Sequence, residues 1–141
     1  MKTMIAYLFG FSIVSIYIYM SFISKTIKPE RYKFRIIFGL VSMLLGVIVD
    51  CIDLFDKPFG FFIIIGFTPF IYLICYEVFR IIYRPLIGKY PYAPYRENIG
   101  NRVYGTGYPI TRTVKAIDYL FTITLLFGPI IIMILLLAYV V

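Results

Sequence analysis

A chain of 141 residues that is 62% hydrophobic, with a mean hydropathy of +0.92 and a formal net charge of +7, has room for one compact unit and not for two. A soluble domain is closer to half apolar, and a chain this short cannot hide such an excess, because small domains keep much of their surface exposed. The composition excludes an ordinary water-soluble domain and predicts an all-α integral membrane protein: one four-helix unit over 1–141, with spans at about 4–24, 34–54, 58–83 and 117–141.

The first span rests on residues 4–23, which carry no charge and match the about 20 residues needed to cross a bilayer. Lys2 precedes it, as in a signal peptide. The run is long for such a segment, however, and no A-x-A-like cleavage site follows, so it reads as a retained span. Ser12, Ser15 and Tyr19 give it a weak polar stripe.

The second span has a short uncharged core, 36–49. Lys33 and Arg35 can snorkel at one end, and the helix can continue through Cys51 and Ile52 at the other. Along it Gly39, Ser42, Gly46, Asp50 and Asp53 recur at steps of 3, 4, 4 and 3, which puts them on one face. Small residues on such a face let a second helix approach closely. The same stripe also reads as a polar path ending in two carboxylates, with the first span's stripe as partner.

The turn DCIDLFD, 50–56, places Asp50, Asp53 and Asp56 at the membrane surface. Hard cations favour oxygen ligands of this kind, but the Gly and bidentate Glu of a calcium loop are missing. The other reading is outward-facing charge that fixes topology.

The third span contains Pro69, and the fourth Gly128-Pro129; each is expected to bend its helix. Glu77, Arg80 and Arg84 share a face at the end of the third span. They read as an ion pair that ends the helix in water, or as part of a relay. Asp118 opens the fourth span, where it favours the helix N-terminus. Cys51 and Cys75 fall at different depths, which predicts two free thiols.

Of the 14 basic residues, 12 fall in two clusters, 25–35 where the first span gives way to the second and 80–115 where the third gives way to the fourth. The positive-inside rule then puts both clusters in the cytoplasm and both termini on the other side. The long irregular cytoplasmic loop, 84–116, is broken by Pro85, Pro91, Pro94 and Pro109. Tyr90, Tyr92, Tyr95, Arg96, Arg102, Tyr104, Tyr108 and Arg112 within it read as a surface for lipid or for a protein partner. Its YGTGY segment lacks the rest of a phosphate-binding loop.

No catalytic elbow, metal-ligand cluster or cofactor motif is visible, and the chain has no histidine. The expectation is a non-enzymatic protein without cofactor or metal. It acts on no nucleic acid, and its partners are the bilayer and another membrane protein or a second copy of itself. Three functions fit: an accessory or assembly subunit of a larger membrane complex, an immunity protein against a membrane-targeted toxin, or a small channel or carrier. Size and topology suit a bacterial cytoplasmic membrane.

Overall fold

A computed structural model describes residues 4, 7, 9–11, 13, 29–53, 55, 57–88, 92, 94, 97–103 and 111–140. Three long helices dominate: α1 (Pro29–Cys51), α2 (Phe61–Ile87) and α3 (Ala116–Val140). All three are long and apolar enough to cross a membrane. At 1.5 Å per residue each exceeds the about 30 Å of a hydrocarbon core. They are the second, third and fourth predicted spans. The first predicted span falls mostly outside the described residues, but its described positions are helical.

Local chemistry sets the helix ends. Pro29 opens α1, at the position where its fixed φ suits a helix and its missing N–H costs nothing. α1 stops at Cys51, and Asp53 follows in the left-handed region at φ 49°, which Asp tolerates better than most residues. The expected continuation of the helix to 54 therefore does not occur, and Asp53 leaves the stripe that carries Asp50. At its other end α2 outruns the expected 83 by a turn, passing through Pro85 to Ile87. Gly88, at φ 92°, closes it by donating its N–H to the Arg84 carbonyl at 2.8 Å.

α2 is the middle helix. It packs against α1 on one side and α3 on the other, while no Cα of α1 comes within 8 Å of a Cα of α3. Burial follows: 56% of the most apolar window of α2 is buried, against 22% for α1 and 17% for α3. The outer helices leave Leu44, Ile48, Ile123, Phe127 and Ile131 exposed, as lipid-facing surfaces do. One cluster, around Ile13, Phe55, Phe62 and Ile65, packs the N-terminal segment against the start of α2. A second joins Tyr72, Leu73 and Tyr76 to Phe121 and Leu125 of α3. A third, smaller cluster lies in the segment between α2 and α3.

Candidate functional site

The α1–α2 crossing is built on missing side chains. A Cβ at Gly46 would lie 2.4 Å from the Phe62 carbonyl oxygen, and one at Gly66 would lie 2.5 Å from the Ser42 carbonyl oxygen. Only glycine lets two main chains come this close. At Gly39 the neighbour is the Phe70 ring, 3.1 Å from a Cβ. Gly39, Ser42 and Gly46 are all buried, so the stripe meets α2 of the same chain. The Ser42 hydroxyl has no hydrogen-bond partner among the described residues, which leaves small size as its contribution. Gly66, the other half of the crossing, escaped the sequence reading because nothing marks it there as facing α1.

Asp50 ends this stripe as a cap. Its carboxylate accepts the N–H groups of Gly60 at 3.0 Å, Phe62 at 3.3 Å and Ile63 at 3.0 Å. These are first-turn donors of α2 that have no partner inside their own helix. Gly60, the residue at the cap position, has no side chain to do this. The last turn of α1 thus closes the first turn of α2, and negative charge sits at the positive helix end. Asp53 is exposed and donates its N–H to the Asp50 carbonyl at 3.2 Å. Asp56 lies outside the described residues. A shallow groove of about 440 Å³ adjoins the turn, lined in part by Asp50, Asp53, Lys57 and Phe62. Asp50→Ala is expected to lower stability by about 0.5–2 kcal/mol, the usual worth of a cap, with Asp50→Asn between it and the parent. Thermal unfolding in detergent measures both; an unmoved midpoint for Asp50→Ala removes the capping role.

At the opposite end of α2, Glu77 pairs with Arg80 at 2.6 Å and accepts a hydrogen bond from Tyr32 of α1 at 3.2 Å. Both charged side chains are about a third exposed, at 33% and 38%, and such pairs contribute about 0–1 kcal/mol. Arg84 is exposed in the last turn, where a cation suits the helix dipole. On the α3 side the same helix is held by Tyr83 to Thr124 at 2.9 Å and by Thr68 to the Met133 sulfur at 3.2 Å.

The segment between α2 and α3, expected to be irregular, has an ordered part. Residues 98–101 form a turn closed by the Asn101 N–H on the Asn98 carbonyl at 3.1 Å. The turn and the residues after it are tied to the segment before α3: Gly100 donates to Val114 at 2.9 Å, Val114 to Asn101 at 2.8 Å and Val103 to Arg112 at 2.8 Å. An antiparallel bridge joins Arg102 and Thr113, and no longer strand occurs among the described residues. Beneath this clip Tyr92, Val103 and Val114 make a small core at 2%, 4% and 1% exposure.

Two residues expected on the docking surface are corrected by this packing. Tyr92 is turned inward, and its hydroxyl donates to Glu97 at 2.7 Å. Arg112 is drawn under the clip by Asp118, at 2.5 Å, with side-chain exposures of 10% and 0%. It also donates to the Thr113 carbonyl. The other oxygen of Asp118 accepts the Lys115 N–H at 2.8 Å, the backward reach of an acidic third residue to a helix cap. The Tyr119 hydroxyl, in the first turn of α3, donates to the Glu97 carbonyl. Arg102 is exposed. Tyr90, Tyr95, Arg96, Tyr104 and Tyr108 lie outside the described residues.

The chain matches no family model, and the comparisons with curated proteins and with solved structures find no significant similarity.

Proposed function

We propose that this integral membrane protein is a non-enzymatic accessory or assembly subunit of a larger membrane complex. In this reading it crosses a bacterial cytoplasmic membrane four times, with both termini outside. The clip between α2 and α3 then faces the cytoplasm, because the basic residues gather at that end.

The observation that carries the reading is how the ionisable side chains are used. Asp50 joins α1 to α2, Glu77 holds Tyr32 of α1 and Arg80 together, and Asp118 ties Arg112 to the start of α3. Each of these groups is spent on holding one element to another. A route for ions needs polar groups lining a path, whereas Asp50 and Glu77 sit at opposite ends of the α1–α2 pair, each already bonded. What remains for recognition is a rigid scaffold with uncovered apolar faces on α1 and α3 and a built loop at the membrane surface.

Extraction from native membranes in mild detergent tests this. The protein is expected to elute with a partner, well above the size of its own 16.5 kDa chain in a micelle. Elution alone overturns the proposal. The identity of the co-eluting protein separates a complex subunit from an immunity protein, whose partner would be a membrane-targeted toxin.

A further inference from the structure

We propose that the turn 98–101 is a wedge that enters the headgroup layer of an anionic bilayer, with Ile99 as the inserted side chain and Arg102 and Lys115 against lipid phosphates. Ile99 is 65% exposed at the second position of the turn, above a small core in which Tyr92, Val103 and Val114 are buried. Gly100 follows at φ 92°, the positive φ that a type II turn requires at its third position. The turn therefore holds an apolar knob outward on a backbone fixed by three hydrogen bonds.

Its position identifies the occupant. Val114, which bonds both Gly100 and Asn101, stands two residues before α3, no more than about 7 Å of chain. Tyr119, inside the first turn of α3, holds the carbonyl of Glu97, two residues from Ile99. The headgroup layer on each side of the hydrocarbon core is about 5–7 Å thick, so the turn lies within its reach. The charge there is complementary to anionic lipid: Arg102 and Lys115 are exposed, while the neighbouring acids Glu97 and Asp118 already accept hydrogen bonds from Tyr92 and Arg112. An apolar side chain flanked by cations at this depth fits a lipid surface carrying phosphate.

The chain contains no tryptophan, so Ile99→Trp creates a single tryptophan reporter in an exposed turn, excited apart from the tyrosines. The purified full-length variant is placed in vesicles of phosphatidylcholine with or without phosphatidylglycerol. Phe127→Trp, on the exposed face of α3, serves as a reporter of deep insertion. The Ile99→Trp emission is expected to be blue-shifted, closed to aqueous iodide and quenched best by lipids brominated near the headgroup. Phosphatidylglycerol should strengthen this, and Arg102→Gln or Lys115→Gln should each weaken the anionic preference about five-fold. Water-like emission open to iodide in both vesicle types, with Phe127→Trp quenched by deep bromines, overturns the wedge. Shielding that occurs only in the native extracted complex also overturns it, by assigning the turn to a protein partner.

Discussion

Gly46→Ala and Gly66→Ala are each expected to destabilise the protein at or above the upper end of the about 1–3 kcal/mol typical of overpacking. In both, the new methyl carbon would sit 2.4 and 2.5 Å from a main-chain carbonyl oxygen, far inside van der Waals contact. Neither carbonyl can swing away without moving its helix, so α1 and α2 must separate, and contacts along the whole crossing weaken together. The gain in helix propensity from Gly to Ala, about 1 kcal/mol, offsets only part of this. The same substitution elsewhere supplies the scale. Gly39→Ala meets the Phe70 ring at 3.1 Å, an obstacle that can rotate by a few tenths of an ångström, and Gly10→Ala meets only the tip of Ile65 at 3.7 Å. The expected order of thermal midpoints in detergent is Gly10→Ala near the parent, Gly39→Ala slightly lower, and the two crossing variants far lower. The double variant Gly46→Ala/Gly66→Ala should cost less than the sum of the singles, because one separation of the helices relieves both clashes. Equal midpoints across all four glycines would show that the crossing is not close-packed.

Why this crossing was half legible in the sequence is a matter of period. Gly39, Ser42 and Gly46 stand at helical spacing, and that alone places them on a face. Their partner follows from the turn between the helices, which no periodicity encodes. Asp50 shows the same limit. Its position on the stripe was readable, but its role as the cap of α2 depends on the chain returning Gly60 to the end of α1. The three long spans were legible because length and hydropathy are local properties. The clip between α2 and α3 was not, because composition rich in Tyr, Pro and Gly reads as loop. The pairing of Val103 with Arg112, and of Gly100 and Asn101 with Val114, is a long-range register. Gly100 was the available signal, as a glycine after Asn98-Ile99 marks a turn. The same register decides which aromatic and basic residues face outward. That is why Tyr92 and Arg112, alike in type to their neighbours, turned out to be interior.

Arg112→Ala is expected to open the clip. Asp118 is wholly buried and Arg112 is 10% exposed, and removing one partner of a buried ion pair costs about 3–5 kcal/mol, because the remaining charge is stranded. Asp118→Ala should be at least as damaging, since it also strips the Lys115 N–H of its acceptor. Replacing both at once with apolar side chains, Arg112→Met with Asp118→Leu, removes the stranded charge. That pair is expected to lie much closer to the parent than either single variant, short of it by about 1 kcal/mol for the lost cap. The damage has a preferred place. The clip has a satellite core of its own, joined to α3 through Asp118 and Tyr119, so it can open while α1, α2 and α3 stay packed. Trypsin should then cut after the exposed Arg102 in Arg112→Ala at temperatures where the helical circular dichroism is unchanged. The parent and the double variant should resist. If Arg112→Ala resists trypsin as the parent does and unfolds at the same temperature, the pair does not hold the clip to α3.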